Sequence, residues 1–207
     1  MSTGYKILHA IIKGILSLFF RIKVKGYPQS IPEGGCLLCA NHLSAIDPAL
    51  IAISTKHQLW FLAKAELVKV PLVNLLIKNF GIPVTRGTAD LTAIRTCVAA
   101  IKEGKSLLVF PQGTRKKGID PKTTEVKNGS AMFIRRAQCP VIPVYIEAKN
   151  YKIGIFKKIT ITFGKQISYD EFGFAKGSIH ELESASQLLW ERICDLGEKE
   201  KDTENGN

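Results

Sequence analysis

The sequence contains no apolar run of membrane-spanning length. Its most apolar stretch, from Ile7 to Phe20, is only fourteen residues with Lys13 in the middle, against the ~20 that a helix needs to cross a bilayer. Acidic residues are also in short supply: 18 Asp and Glu face 29 Lys and Arg, for a net charge of +11. Such an excess calls for an acidic partner, whether nucleic acid, an anionic membrane surface, or a phosphorylated or acidic carrier substrate. Nucleic acid is disfavoured, because neither aromatic residues interleaved with the bases nor a recognition helix is evident. Cysteines are few and odd in number, five at positions 36, 39, 97, 139 and 194, mostly within apolar runs. That pattern reads as reduced thiols in a cytosolic compartment rather than a disulfide framework. Cys36-Leu-Leu-Cys39 has no second Cys/His pair to complete a zinc site, and residues three apart on a strand point to opposite faces, so no metal is expected.

What is present is the composition of a folded globular protein. Hydrophobic residues make up 45% and charged residues 23%, with 17 Gly and 9 Pro among 207 residues, which excludes a disordered or collagen-like chain and suits one domain. No repeat, low-complexity tract or linker interrupts the chain before its polar end. The expected organisation is an N-terminal segment over 1–28, a domain over 29–198 and a polar tail over 199–207.

The N-terminal segment carries Lys6, Lys13, Arg21, Lys23 and Lys25 and no acid. Lys6, His9, Lys13 and Ser17 recur at helical spacing with Arg21 continuing the stripe, while Ile7, Leu8, Ile11, Ile12, Ile15, Leu16, Leu18 and Phe19 fill the rest of the wheel. A basic amphipathic helix of this kind lies in a bilayer interface with its lysines on anionic lipid; the ordinary alternative is a helix packed on the core. A cleaved signal peptide is not expected, because Arg21-Ile-Lys-Val-Lys25 offers no small-residue cleavage site.

Short apolar runs near 36–40, 58–62, 82–85, 106–110, 141–146 and 158–163 read as strands. Helical stretches near 47–55, 71–80, 89–103 and 128–138 separate them, and a last helix starts at Ser178 with a capping box to Glu181. Continuous apolar strands alternating with helices predict an α/β fold with a largely parallel sheet covered on both faces.

In such sheets ligands bind beyond the carboxyl ends of the strands. Three polar constellations stand there: Asn41-His42-Leu-Ser44-Ala-Ile-Asp47-Pro48, Arg86-Gly87, and Pro111-Gln112-Gly113-Thr114-Arg115. On a continuous helix His42 and Asp47 would diverge by roughly 140°. Pro48 supplies the turn that can bring them together, with Asp47 as the N-cap of a helix starting at Pro48. The carboxylate can then accept the imidazole Nδ1–H and leave Nε2 as a base, although Asp-Pro is also a common cap and a lone His is often structural. No Gly-x-Ser-x-Gly elbow accompanies the pair, and Ser44 lies too near His42 in sequence to suggest a nucleophile and base. A dyad without a protein nucleophile suits deprotonation of a substrate hydroxyl. Gly113, Thr114 and Arg115, with Lys116 and Lys117, would offer an anion N–H groups, a hydroxyl and a guanidinium, or else form a solvated basic turn. The loop is not a P-loop, because no Lys-Ser/Thr follows.

Together these residues resemble the membrane-associated glycerolipid acyltransferases typified by the lysophosphatidic acid acyltransferases. Four blocks match in order over about residues 35–165: Asn41 to Asp47, Gly81-Ile-Pro-Val-Thr-Arg86, Phe110-Pro-Gln-Gly-Thr-Arg115, and Val141-Ile-Pro143-Val. The third block usually carries Glu where this chain has Gln112, an amide of similar size that hydrogen-bonds without the negative charge. The resemblance implies His42 as general base oriented by Asp47. It places Asn41, Ser44, Arg86, Gln112, Gly113, Thr114 and Arg115 about the acceptor, with Pro143 shaping the pocket and Lys64 and Lys127 as further candidates by position. It implies acyl transfer from a thioester co-substrate, on acyl carrier protein or coenzyme A, to the sn-2 hydroxyl of 1-acyl-sn-glycerol 3-phosphate, with no cofactor. It also implies peripheral or monotopic attachment to the cytoplasmic face of a membrane. A related enzyme for glycerol 3-phosphate or another lysolipid is the nearest alternative, and a non-catalytic basic module the remotest.

Overall fold

The computed structural model describes residues 3–26, 34–64, 81–84 and 91–204. The strands are β1 (Arg21–Lys25), β2 (Leu37–Ala40), β3 (Leu59–Lys64), β4 (Gly81–Val84), β5 (Ser106–Val109), β6 (Val141–Ala148) and β7 (Lys158–Phe163). The α-helices among the described residues are α1 (Thr3–Phe19), α2 (Asp47–Ile53), α3 (Leu91–Lys102), α4 (Gly129–Ala137) and α5 (Ile179–Glu204). The expected helix over 71–80 lies outside the described residues.

One sheet runs in the order β1-β7-β6-β2-β5-β3-β4. Strands β6, β2, β5, β3 and β4 are mutually parallel, so β2 and β5 send their following loops to the same edge. The expectation of a largely parallel sheet holds, with one reversal: β7 pairs antiparallel with β6, and β1 lies parallel to β7. A parallel return needs a crossover of a dozen or more residues, usually a helix. The nine residues between β6 and β7 contain a single 3₁₀ turn and no α-helix.

The sheet is covered on both faces, which is why its central strands read as continuous apolar runs. On one face Leu37, Cys39, Leu107, Val109 and Val141 pack with Ile101, Ile134, Leu189 and Ile193 from α3, α4 and α5. On the other, Leu38, Ala40, Leu108, Ile142, Val144 and Ile146 pack with Leu16 of α1 and Leu50 and Ile51 of α2. Cys36 and Cys39 fall into these two opposite cores, as strand alternation requires.

The N-terminal segment divides between two roles. Residues 21–25 add β1 to the sheet edge, a strand that sequence reading had merged into the basic segment. In α1 the apolar residues separate into two stripes. Tyr5 and Leu16 are buried against the domain with Leu8 and Ile12 half-buried beside them, and the Tyr5 hydroxyl donates to the His57 carbonyl (3.2 Å) and accepts from Leu59 N–H (3.4 Å). Ile7, Ile11, Ile15 and Leu18 are all more than half exposed, at 58, 54, 51 and 72%. His9, expected on the polar stripe, turns instead toward the body, its ring 5.9 Å from that of Tyr5.

Candidate active site

The site is built where β2 ends and α2 begins. Asn41 closes the β2–β6 ladder with its side chain: the amide donates to the Ile146 carbonyl (2.9 Å) and accepts from the Ile146 N–H (2.7 Å). It is wholly buried. Both amide atoms are bonded to β6, so the side chain holds the loop that follows.

His42 and Asp47 meet as their chemistry demands. The imidazole Nδ1 lies 2.7 Å from Asp47 Oδ2, which also accepts the backbone N–H groups of Leu43 (2.6 Å) and Ser44 (2.8 Å). The Asp47 carboxylate has no exposed surface. Asp47 is the first residue of α2, with Ile46 in the capping position and Pro48 following in the first turn. Its side chain therefore reaches back over the loop instead of capping the helix ahead, because the imidazole and two loop N–H groups give an ion buried in the core more hydrogen bonds than a cap would. Three donors on one oxygen fix the turn and the ring together. With Nδ1 engaged by Asp47, Nε2 is the nitrogen left for a substrate.

Ser44 serves the same turn. Its carbonyl accepts from Asp47 N–H at 3.2 Å and its hydroxyl from Ile46 N–H at 3.5 Å. Phe110 lies flat on the imidazole, ring centroids 4.0 Å apart and planes 16° from parallel. Gln112 is 2% exposed: its Oε1 accepts from His42 N–H (2.7 Å) and its Nε2 donates to the Thr124 hydroxyl (2.7 Å). Through these two bonds it ties the backbone of His42 to the segment carrying Thr124. Phe110 and Thr124 were given no role from sequence. Phe110 stood in a matched block, and Thr124 carried no signal in any motif.

The loop after β5 is pinned against the dyad by Lys116 N–H donating to the His42 carbonyl at 2.7 Å. Thr114 and Arg115 are exposed there. Gly113 has φ +67°, and a Cβ at that position would lie 3.1 Å from Cδ of Lys127, so the turn needs glycine and carries the Lys127 stem across it. Gly113, Thr114, Arg115 and Lys127 thus sit on the loop that touches the histidine. Arg86 lies outside the described residues, and Lys64 ends β3.

Pro143 stands apart from this group. The cavity of about 350 Å³ that it lines, with Gly164, Ile167, Arg192 and Leu196, includes neither His42 nor Asp47 among its lining residues. It opens beside Gly164, which follows the antiparallel β7. In the sheet Pro143 pairs with Cys39 of β2.

Burial pushes the thiols upward: Cys36 and Cys194 to about 11, Cys97 and Cys139 to about 12, and Cys39 well above its ordinary value. A buried thiol held protonated is a poor nucleophile.

The Acyltransferase family model matches residues 21–147, well over half of the chain. A 1-acyl-sn-glycerol-3-phosphate acyltransferase of Bacillus subtilis is 24% identical over 94% of this chain and 98% of its own length. One from Borreliella burgdorferi is 29% identical, with 63% of this chain aligned to 52% of that protein. The crystal structure of the 1-acyl-sn-glycerophosphate acyltransferase PlsC from Thermotoga maritima superposes with a TM-score of 0.75 and 27% identity, covering 95% of this chain and 81% of that one. The matched region contains the dyad, the loop pinned to it and six of the seven strands of the sheet, and on this evidence the chain belongs to the acyltransferase family.

Proposed function

We propose that this protein transfers a fatty acyl chain from an acyl thioester, carried by acyl carrier protein or coenzyme A, to the sn-2 hydroxyl of 1-acyl-sn-glycerol 3-phosphate, forming phosphatidic acid. The observation that carries this reading is the buried His42–Asp47 pair, with Nδ1 committed to the carboxylate at 2.7 Å. His42 Nε2 takes the hydroxyl proton as the acceptor oxygen attacks the thioester carbonyl. The tetrahedral adduct collapses with loss of the thiolate, and the imidazolium returns the proton to sulfur. Asp47 stabilises the imidazolium between these steps. Base catalysis of this kind supplies ~10²- to 10⁴-fold, with the rest coming from orientation of the two substrates. Thr114 and Arg115 are read as ligands of the acceptor phosphate, with the backbone of Gly113 and the ammonium of Lys127 beside them and Arg86 as a second guanidinium. No metal, other cofactor or nucleic acid enters this reading.

A lysolipid stays in the bilayer, so the enzyme must come to the interface. No helix among the described residues is long and apolar enough to cross a membrane. The exposed Ile7, Ile11, Ile15 and Leu18 stripe, flanked by exposed Lys6 and Lys13, suits an interfacial helix on an anionic surface. We place the enzyme on the cytoplasmic face as a peripheral or monotopic protein.

A different lysolipid acceptor is favoured by one observation: a lyso-ornithine lipid O-acyltransferase of Pseudomonas aeruginosa is 35% identical over 105 residues, 49% of this chain and 38% of that protein. An acceptor and donor panel in detergent micelles separates the readings. The phosphorylated lysolipid should be the preferred acceptor, and Arg115→Ala should raise its KM far more than that of the matching monoacylglycerol. Equal losses on both acceptors would remove the phosphate assignment.

A further inference from the structure

The β6–β7 loop carries a feature that neither the dyad nor α1 accounts for. Residues 149–158 read Lys-Asn-Tyr-Lys-Ile-Gly-Ile-Phe-Lys-Lys, with four lysines and no acid. At the tip Ile155 and Phe156 are 59% and 65% exposed. Phe156 is held there in a left-handed conformation, φ +60°, which a bulky residue adopts only when its surroundings impose it. The imposing contact is visible: Phe156 N–H donates to the Phe19 carbonyl at 2.6 Å, and Arg21 N–H donates to the Lys157 carbonyl at 3.3 Å. The loop tip is therefore fastened to the end of α1, where Leu18 and Phe19 are themselves 72% and 44% exposed. Arg21, Lys152 and Lys157, on the same two segments, are exposed as well.

The same loop reaches the catalytic edge. Tyr151 accepts from Gly118 N–H at 2.9 Å and donates its hydroxyl to Asp120 Oδ2 at 2.6 Å. Gly118 has φ +76°, and a Cβ there would stand 2.7 Å from Cε of Lys152, so the Lys152 stem lies across the glycine. Gly118 follows the Lys116 whose N–H binds the His42 carbonyl. One hydrogen-bonded path thus runs from Phe19 through the β6–β7 loop to the backbone of the base.

We propose that the Ile155–Phe156 tip is a second lipid-contacting element, inserted among the acyl chains of an anionic bilayer beside α1, and that it seats the His42 edge against the surface that delivers the lysolipid. The bilayer is the occupant that fits, because exposed apolar side chains on segments that also expose cations and carry no acid suit the acyl boundary and the anionic heads. This inference rests on the proposed membrane-bound acceptor.

Vesicles of equimolar phosphatidylcholine and phosphatidylglycerol provide the test, using the whole chain. Ile155→Gln with Phe156→Asn removes the apolar tip while putting in a residue that tolerates positive φ, so melting should change little. Vesicle affinity should fall about tenfold, the scale expected for withdrawing two apolar side chains from the interface. Turnover of vesicle-borne lysolipid should fall with it, while turnover of the same lysolipid below its micellar concentration should stay within about twofold. A separate variant, Phe156→Trp, should show fluorescence quenched by brominated acyl chains. If the wild type and the Trp variant bind vesicles but the Trp is unquenched and the double variant binds undiminished, the tip is not a lipid contact and the α1 reading stands. A wild type that leaves such vesicles unbound overturns both.

Discussion

The corner between β2 and α2 and the face of α1 each break the rule that polar side chains meet water and apolar ones avoid it, in opposite directions. The corner buries Asn41, His42, Asp47 and Gln112 at 9% exposure or less, whereas α1 displays Ile7, Ile11, Ile15 and Leu18. The buried group is tolerated because nearly every polar atom is matched: Asp47 Oδ2 has three donors, and the Asn41 and Gln112 amides each have two partners. The exposed stripe has no such internal compensation. Departures of this kind are where function is to be sought. The first is paid for within the fold, and the second waits for something outside it.

Breaking the corner should have the largest effect. Under the proposed mechanism His42→Ala should reduce turnover by ~10² or more, and it should lower Tm as well, because the buried Asp47 Oδ2 loses one of its three donors. Near-normal turnover would reject His42 as the base. Asp47→Asn should damage rate and stability together. Asp47 Oδ1 is buried with no partner, so an amide NH₂ placed there adds an unsatisfied donor at a cost of ~1–3 kcal/mol. A fully active and equally stable Asp47→Asn would mean that the carboxylate charge does nothing for the ring.

Breaking the exposed stripe should leave the fold intact and remove the location. Ile11→Glu with Ile15→Glu should release the protein from vesicles by about tenfold or more at any salt, because each substitution puts a charge where acyl chains should be. Leu16, on the packed stripe of the same helix and 8% exposed, provides the contrast: Leu16→Ala should lower Tm, at about 2–5 kcal/mol. If instead the double glutamate variant melts early and stays on vesicles, α1 is a core element and the comparison collapses.

How much of this was legible in the sequence differs between the two regions. The apolar central strands were readable almost to the residue, 158–163 included, because burial on both faces leaves little ambiguity. β1 was not, because Arg21-Ile-Lys-Val-Lys25 alternates like an edge strand while its charge fits an interfacial tail equally well. The reversal at β7 had a signal in the short, helix-free gap after β6, which parallel alternation overrode. At the site, the five-residue spacing and Pro48 pointed to the His42–Asp47 contact. The partner of Gln112 could not be found that way, since a hydrogen bond spanning seventy positions to His42 N–H depends on β2 and β5 being neighbours in register. The splitting of α1 into packed and exposed stripes likewise follows from where α2 lies, which no helical wheel contains.

A smaller effect should come from Gln112. Its Oε1 is the acceptor for His42 N–H, so Gln112→Ala leaves a buried donor unmatched, costing ~1–3 kcal/mol and letting the base drift. Gln112→Glu keeps an acceptor in place and should retain more turnover than the alanine. The reverse order would show that Gln112 acts through its NH₂ on Thr124 rather than through His42.

The smallest effect should come from the cations beside the exposed stripe. Lys6 and Lys13 are exposed on α1, between its packed and its exposed apolar stripes. Each can add ~1 kcal/mol on an anionic surface, about fivefold in affinity. That term acts through solvent and is screened over ~10 Å at 0.1 M salt, whereas burial of Ile11 and Ile15 is not. Lys6→Gln with Lys13→Gln should therefore weaken binding to phosphatidylglycerol vesicles at low ionic strength. The loss should shrink as salt rises and vanish on neutral phosphatidylcholine. Sedimentation with vesicles across a salt series reads both dependences in one experiment. A loss that persists unchanged at high salt and on neutral lipid would mean that the lysine stems act by covering the apolar stripe, and the charge and apolar contributions of α1 could no longer be treated as separate.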